Sequence, residues 1–195
     1  MAAIETSRRQ QINDVASALF REHGYAGTSV RDIAQALNLQ GGSLYAHVAS
    51  KEDLLWSIVS RAAEQFHSTV GPIASSATMS PAVRLREMII AHVAVVTSSQ
   101  RDAVVFLQEW RLLSTERRLA LASRRDGYEG LFQKVIAEGS AAKAFRDVDA
   151  KLTATALLSA LNGIATWYHP DGRLTADQIA NHHADLFLHA LEANP

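Results

Sequence analysis

The sequence predicts an all-α protein built from about nine helices in two domains. Apolar residues recur at helical spacing along most of the chain, and no segment alternates apolar and polar residues as a strand would. With 195 residues and 48% hydrophobic content, the chain can bury a sizeable core beside a small N-terminal module. We place the boundary after residue 50, so residues 1–50 form the small module and residues 51–195 the larger domain.

The first helix is predicted over residues 7–23. Its apolar positions follow the i, i+3, i+4, i+7, i+8 rule and would form one buried face: Ile12, Val15, Ala16, Leu19 and Phe20. Gly24 follows them directly and is expected to end the helix.

The second helix is short and is followed by a tight turn. Val30, Ile33, Ala34 and Leu37 share one face. Thr28 or Ser29 can cap the start of the helix, with Asp32, three residues after Ser29, as a capping-box partner. Asn38 follows, and asparagine is the non-glycine residue that best tolerates the left-handed backbone of a sharp turn.

The third helix is predicted over residues 41–48, held to the module by Leu44 and Val48. Two glycines at its start each cost roughly 1 kcal/mol of helix propensity relative to alanine, so close approach to another surface explains them better than stability does. Such an end can enter a DNA major groove, while Tyr45, His47 and Lys51 would meet phosphates. The short helices are therefore interpreted as a helix-turn-helix, the alternative being an ordinary αα-hairpin.

This region resembles the TetR family of transcriptional regulators. The matching residues are Thr28, Ile33, Ala34, Leu39, Gly42, Leu44, Tyr45, His47, Ser50, Lys51, Glu52 and Leu54. Asn38 stands where the family usually has glycine, and Val48 where it usually has phenylalanine. The resemblance implies a three-helix DNA-binding domain with a basic arm at the start of the first helix. We expect contacts with double-stranded DNA from Arg8, Arg9, Thr28, Arg31, Gln40, Gly41, Gly42, Ser43, Tyr45, His47 and Lys51.

Further helices are delimited by breakers and caps. Gly71-Pro72 is expected to break the helix that begins after Ser50, and Gly139 to end a long helix that begins near Ser114. The other predicted starts are Ser80-Pro81, Arg101, Asp147 or Asp149, and Thr175 with Gln178 as its capping-box partner.

The last two helices resemble those that form a four-helix bundle between two subunits of the TetR family. Small residues on the penultimate helix would allow close approach of a partner, which implies a two-fold homodimer and a near-palindromic operator. The predicted interface residues are Ala156, Ala160, Gly163, Ile179, Leu186, Phe187 and Ala190. The alternative is that these faces only fill the core of one chain.

Large side chains on the middle helices predict an apolar effector pocket, although core packing explains each of them as well. They are Phe66, Met88, His92, Phe106, Trp110, Tyr128, Phe132 and Trp167. A weaker resemblance to the acyl-coenzyme-A-responsive branch of the family rests on Glu109-Trp110-Arg111, Arg124-Arg125-Asp126, Tyr128-Glu129, Phe132, Leu157-Leu158, Ala160-Leu161-Asn162, Trp167-Tyr168, Pro170 and Gly172. It implies an acyl-CoA effector, with Asn162 in the pocket and Arg124 and Arg125 as phosphate partners. Arg117 and Arg118 are further candidates, although four arginines on one helix can also form a solvated face. Thr166 departs from this branch, which often has arginine there.

The charge balance excludes a protein that covers DNA without sequence preference. The chain carries a formal net charge of −1, and within residues 1–51 five arginine or lysine residues stand against four acidic residues. DNA binding would therefore depend on a few cationic side chains at specific positions.

Other classes of protein find little support. The chain has no cysteine and no signal-like start, which allows a cytoplasmic location, and the uncharged stretch 152–170 contains enough polar residues to favour an interface helix over a membrane span. Common catalytic and phosphate-binding motifs are absent from the sequence. His182, Asp185 and His189 share a helix face that we expect to be solvated, so we expect no metal and no cofactor.

The sequence is thus interpreted as a cytoplasmic, dimeric, non-enzymatic repressor that a small molecule, such as an acyl-CoA thioester, releases from its operator. The alternative is a helical carrier or enzyme that handles acyl-CoA and does not bind DNA.

Overall fold

The computed structural model describes residues 2–39 and 44–192, with side chains from residue 8 onward. Within these ranges the chain forms eight α-helices and no extended strand. They are α1 (Ala2–Gly27), α2 (Val30–Ala36), α3 (Lys51–Ala74), α4 (Pro81–Ser98), α5 (Gln100–Gln108), α6 (Thr115–Ala141), α7 (Ala150–Trp167) and α8 (Ala176–Leu191), with a 3-10 turn at Trp110–Leu112. The predicted all-α class is confirmed. The predicted helix over residues 41–48 lies partly outside the described residues.

The chain divides into two compact units. The first unit comprises Met1–Ala63 and Arg101–Leu121, and the second comprises Glu64–Gln100 and Ala122–Pro195. The first unit therefore contains a segment from the middle of the chain, in addition to the helix-turn-helix region. The assignment of DNA binding to residues 1–50, and of effector binding and dimerisation to residues 51–195, stays a prediction.

Local signals near the N-terminus produce the predicted turns. Gly24 has a φ of 74° and interrupts α1, so the regular helix ends where the sequence predicts. Ser29 and Asp32 form the predicted capping box at the start of α2. Asn38 has a φ of 53°, the left-handed conformation expected of it. These three features set the directions of the helices that precede residues 44–48.

Asn38 offers a test of this turn. We expect Asn38→Gly to leave the stability of the protein nearly unchanged and Asn38→Ala to lower it by about 1 kcal/mol, because a Cβ without a polar group is disfavoured at positive φ. Urea unfolding of the two variants would measure the difference. Equal stabilities would show that the turn tolerates any small residue.

Two predicted helix ends are wrong. Helix α3 continues through Gly71 and Pro72 to Ala74. A proline this close to a C-terminus removes one hydrogen bond from a last turn that already frays, so it does not stop the helix. Helix α6 continues past Gly139 to Ala141, and Lys143, with a φ of 59°, takes the left-handed position instead.

Gly139 has a packing role that its predicted role as a terminator concealed. A Cβ placed there would lie 2.1 Å from Cδ2 of Phe145, whose ring is buried. Ser80, Asp149 and Thr175 cap α4, α7 and α8 as predicted. The tight approach of Phe145 to α6 follows the turn at Lys143, where the chain reverses.

Alanine substitutions at two glycines of α6 should have opposite effects. Gly139→Ala is expected to lower stability by about 1 to 3 kcal/mol because the new methyl group overlaps a buried ring. Gly130→Ala is the matched control, since a Cβ there meets no atom within 4 Å. It should raise stability by up to about 1 kcal/mol through helix propensity. Thermal unfolding would report both, and a neutral Gly139→Ala would contradict the packing argument.

In the second unit, α4 packs against α8 and α7. Arg84, which is only 9% exposed, donates from Nη1 to the carbonyl oxygen of Ala74 at 3.0 Å and from Nη2 to Oε2 of Glu138 at 2.5 Å. The amide of Arg146 donates to the carbonyl of Leu191 at 2.9 Å, which ties the end of α8 to the loop after α6. These contacts fix the ends of α3, α6 and α8.

Candidate DNA interface and effector site

The recognition segment, residues 44–48, is held from one side and open on the other. Leu44 and Val48 are buried, as their i, i+4 spacing predicts, whereas Tyr45 is 57% exposed and His47 is exposed. Gln40, Gly41, Gly42 and Ser43 lie outside the described residues. Arg9 and Arg31 are also exposed, and Arg8 is partly exposed and donates to Oε1 of Gln11 at 2.6 Å. The exposed side chains of this part of the chain therefore include a phenol, an imidazole and guanidinium groups.

The side chain of Lys51 makes its hydrogen bonds inside the first unit. Its ammonium donates to the carbonyl oxygens of Tyr25 at 2.8 Å and Thr28 at 2.9 Å, and lies 4.2 Å from the centroid of the Tyr25 ring. Thr28 is itself buried, and its hydroxyl approaches the carbonyl of Gly24 at 2.9 Å. Both residues, predicted to contact DNA, thus have contacts that join the end of α1 to the starts of α2 and α3.

The start of α3 is fixed by a second cluster that the sequence did not predict. The guanidinium of Arg117 forms a close ion pair with Asp53 and lies 3.6 Å from Oε1 of Glu52, which also accepts the amide of Ser114 at 3.0 Å. The bond from Arg117, with help from Ser50, lowers the pKa of Asp53, and the bond from the Ser114 amide lowers the pKa of Glu52. Arg117 therefore holds the first unit together, and its suggested contact with effector phosphates stays a prediction.

Beside this cluster lies a cleft of about 480 Å³ within the first unit. Its lining combines two residues predicted for DNA contact, Arg9 and His47, with the polar side chains that join α1 to α3, where Nδ2 of Asn13 donates to Oγ of Ser57 at 2.9 Å. The lining residues include Arg9, Asn13, His47, Val48, Trp56, Ser57, Ser60 and Arg117. Pairs such as Asn13 and Ser57 are 44 residues apart, so no local sequence signal announces them.

In the second unit, several of the predicted effector residues come together as one aromatic cluster. The centroid of His92 lies 4.9 Å from that of Phe66 and 6.4 Å from that of Phe132, and Tyr128 contacts all three rings. Nδ1 of His92 lies 2.8 Å from the hydroxyl of Tyr128. Phe66, Met88, His92 and Phe132 are all at most 3% exposed, so in this conformation they form a closed core.

The other predicted effector residues are distributed differently. Phe106 and Trp110 belong to the first unit. Arg124 is exposed and its carbonyl lies 2.8 Å from Nε2 of His67, whereas Arg125 is partly exposed. Trp167 is 49% exposed and continues the helical series of Ala156, Ala160 and Gly163 along α7, so it lies on the predicted interface face and not in the aromatic cluster.

His92 is expected to make stability depend on pH. Burial lowers its pKa from 6.5 to about 3, so it stays neutral in the folded protein, while in the unfolded chain it takes up a proton below pH 6.5. The unfolded state then binds more protons, and stability falls as the pH drops from 6.5, by up to about 1.4 kcal/mol per pH unit.

We expect His92→Gln to flatten this dependence. Urea unfolding at about pH 7.5 and about pH 5 would compare the two proteins, because the seven remaining histidines are common to both. The wild type should lose about 2 kcal/mol more than the variant over this interval. Parallel losses would mean that His92 is protonated in the folded state.

Of the predicted interface residues, most are open to solvent on the single chain. Leu186 is 56% exposed, Ala156, Ala160 and Ala190 are exposed, and Gly163 and Phe187 are partly exposed. Ile179 is the exception at 3%, because it packs in the core of its own unit. Leu152, 68% exposed, extends the same apolar series on α7.

No group of metal-ligating side chains forms within the described residues. Asp185 accepts from Nη1 of Arg86 at 2.6 Å, and His189 pairs with Glu192. None of the helices in the described part of the chain has the length and apolar character needed to cross a membrane.

Comparison with known proteins accounts for this arrangement. Residues 12–58 match the family model "Bacterial regulatory proteins, tetR family", and residues 78–191 match "Tetracyclin repressor-like, C-terminal domain". The chain belongs to the TetR family of transcriptional regulators. The predicted resemblance and the interpretation of the short helices as a DNA-binding helix-turn-helix are thereby confirmed.

Individual TetR-family relatives cover nearly the whole chain. The HTH-type transcriptional repressor KstR2 of Rhodococcus jostii is 28% identical over 96% of this chain and 92% of the relative. The crystal structure of PfmR from Thermus thermophilus is 35% identical, with a TM-score of 0.84, over 91% of this chain and 97% of that one. AibR, solved in complex with isovaleryl coenzyme A and operator DNA, is 28% identical, with a TM-score of 0.84, over 92% of this chain and 97% of its own. KstR2 is named as a transcriptional repressor and PfmR as a TetR-family transcriptional regulator.

Proposed function

We propose that the protein is a cytoplasmic homodimeric repressor that binds a near-palindromic operator and is released by an acyl-CoA thioester. The observation that carries the DNA-binding part is the contrast within the recognition segment, where Leu44 and Val48 are buried and Tyr45 and His47 face outward. The segment is thus firmly seated and still presents polar groups, as a recognition helix requires.

The proposed DNA contacts divide into two kinds. Tyr45, His47, Arg9 and Arg31 have exposed side chains and would meet phosphates, with Gln40 to Ser43 at the base edges. Thr28 and Lys51 would act by positioning, because their polar groups already bind backbone carbonyls inside the unit.

A salt titration tests this part directly. The chain carries only five arginine and lysine residues before residue 52, so we expect few phosphate contacts and a slope of log affinity against log salt of roughly −0.9 for each contact. The probe is the DNA upstream of the protein's own gene, with a scrambled duplex as control. Equal affinity for both duplexes at all salt concentrations would contradict sequence-specific binding and would favour a carrier or enzyme.

The proposed dimer uses the exposed faces of α7 and α8. Leu152, Ala156, Ala160, Gly163 and Trp167 continue at spacings of three or four residues, which places them on one side of α7. Leu186, Phe187 and Ala190 are available on α8. Small residues in the centre of the α7 face, between two large apolar ones, would let a symmetric copy of the helix approach closely.

The proposed effector is an acyl-CoA thioester, with its acyl part in the aromatic cluster of the second unit and Arg124 or Arg125 near its phosphates. The support is the buried aromatic cluster together with the likeness to AibR, which was solved with isovaleryl coenzyme A. Helix α3 begins in the first unit and ends in the second, so a change at Phe66 can alter a helix that also carries Lys51.

Thermal unfolding with octanoyl-CoA, and with free coenzyme A as control, tests the effector. A ligand that binds only the folded protein raises the melting temperature, because at a hundredfold excess over Kd it adds about 2.7 kcal/mol to the free energy of unfolding. Release is then measured by adding octanoyl-CoA to the operator complex. No shift with short, medium or long acyl chains would remove the acyl-CoA proposal and leave the DNA-binding proposal intact.

A further inference from the structure

Helix α1 buries a polar side chain that packing alone does not explain. Ser17 is 1% exposed, and its hydroxyl donates to Oδ1 of Asp102, on α5, at 2.6 Å. An alanine would fill the same position without the cost of burying a hydroxyl group. The bond joins two residues of the first unit that are 85 positions apart in the sequence. The serine therefore serves a specific contact between α1 and α5.

The second oxygen of Asp102 binds a guanidinium on α3. Nε of Arg61 donates to Oδ2 of Asp102 at 2.9 Å, and Nη2 of Arg61 lies 2.7 Å from the same oxygen. Nη2 also donates to Oδ1 of Asp14, on α1, at 3.1 Å. The side chain of Asp102 is 14% exposed, so water and salt screen this ion pair weakly. The carboxylate of Asp102 thus holds α1 directly through Ser17 and indirectly through Arg61.

The two bonds to α1 are made on one face of the helix. Asp14 and Ser17 are three residues apart, so their side chains are neighbours on the helix surface. Two bonds to one face restrict the rotation of a helix about its own axis, in addition to its distance from the partner. The rotation of α1 determines the direction in which Arg9 points from the start of the same helix.

The turn of α5 that carries Asp102 begins with a residue that is bound to α7. Gln100, in the second unit, donates from Nε2 to the carbonyl oxygens of Tyr168 at 2.8 Å and Ala165 at 3.2 Å. The last carbonyls of a helix have no partner inside it, so this amide satisfies two acceptors at the C-terminal end of α7. Gln100 and Asp102 lie two residues apart in one helical turn, so a displacement of one displaces the other.

We propose that Asp102 is a positioning residue for operator binding and that Gln100 fixes the place of Asp102. A carboxylate repels phosphates, so Asp102 acts through the orientation of α1 and makes no contact with DNA. Gln100 ties the turn that carries Asp102 to the end of α7, next to Trp167 of the proposed dimer face. This inference rests on the operator binding proposed above and names the residues that hold α1 in the arrangement competent to bind.

Fluorescence anisotropy with the DNA upstream of the protein's own gene tests the role of Asp102. Asp102→Ala should weaken binding about tenfold, because α1 then has more than one arrangement and the affinity falls with the competent fraction. The slope of log affinity against log salt should equal that of the wild type, because no phosphate contact is lost. Asp171→Ala is the matched control and should bind as the wild type does, since it removes an exposed carboxylate from the second unit.

Hydrogen exchange of the free protein tests the same role without DNA. The amides of residues 12–20 on α1 should lose protection in Asp102→Ala, while those of α8 keep the wild-type protection. Exchange at α8 is the internal reference, because a general loss of stability would affect both helices. Asp102→Asn is the second variant, in case the alanine protein does not fold. It keeps the shape of the side chain without its charge and should show a smaller loss at α1.

A double-mutant cycle tests the link between Gln100 and Asp102. Gln100→Met keeps the length of the side chain and removes both donated hydrogen bonds. On its own it should weaken operator binding about fivefold. In the Asp102→Ala background it should have no further effect, because the connection to α1 is already broken. Two effects that multiply would show that the residues act independently.

The outcomes separate the parts of the proposal. Unchanged operator affinity in folded Asp102→Ala overturns the positioning role, and so does a loss of protection that is equal in α1 and α8. Independent effects in the cycle overturn the role of Gln100. If the wild type binds the upstream DNA no better than a scrambled duplex, the proposed operator binding fails, whereas the exchange experiment still decides whether Asp102 holds α1.

Discussion

Replacing Ala160 with glutamate is expected to disrupt the proposed dimer and to weaken operator binding by roughly a hundredfold or more. Ala160 is exposed on the single chain, so a glutamate there remains solvated and does not disturb the fold. In the proposed dimer the same side chain would lie between two closely packed helices, where burial of an unpaired carboxylate costs several kcal/mol. A monomer engages one half-site only and loses the gain from bivalent binding, which is roughly 10²- to 10⁴-fold.

The matched control for this variant is Ala137→Glu. Ala137 is also an exposed helical alanine, but it lies on α6, outside the proposed interface. It should remain dimeric and bind the operator as the wild type does. Light scattering gives the mass of each protein and fluorescence anisotropy gives its operator affinity. A dimeric Ala160→Glu protein would show that the subunits associate through another surface.

Lys51→Met is expected to lower operator affinity by about 10- to 100-fold. The ammonium makes two charge-assisted hydrogen bonds to carbonyls, each worth roughly 1.5 to 3 kcal/mol, and methionine makes neither. Without them the end of α1 and the start of α3 have more than one arrangement, and the affinity falls in proportion to the fraction that is competent to bind. Lys151→Met, which removes the same charge from the second unit, is the control.

The salt dependence of Lys51→Met distinguishes positioning from direct contact. If Lys51 only positions the helices, the slope of log affinity against log salt should equal that of the wild type. If its ammonium contacts a phosphate, the slope should become shallower by about 0.9. The hydrogen bonds in the first unit favour the unchanged slope. A shallower slope would contradict the positioning role.

The sequence predicted those features that depend on neighbouring residues. The capping box of Ser29 and Asp32, the positive φ of Asn38 and the burial of Leu44 and Val48 each follow from a pattern only a few residues long. Their physical cause is local backbone geometry or the period of a helix. The helix-turn-helix and the all-α class were predictable for this reason.

The features that sequence could not predict depend on contacts between distant residues. The sequence makes Lys51 a candidate for DNA phosphates and Arg117 a candidate for effector phosphates. Nothing near either residue in the sequence shows that it already has partners. Thr28 is 23 residues away from Lys51, and Asp53 is 64 residues away from Arg117. The bond between His92 and Tyr128 is hidden in the same way, since spacing indicates only that both side chains are large and on middle helices.

The interleaved composition of the first unit limits how this protein can be rearranged. Asp102, Ser114 and Arg117 belong to a segment separated from residues 1–63 by residues 64–100 of the second unit, yet they contact Ser17, Glu52 and Asp53. A gene fragment that stops after Ala63 would encode a polypeptide lacking these three partners. Chimaeras that exchange operator specificity between homologues should therefore transplant both stretches together, and recombination within the intervening codons should rarely yield a working hybrid.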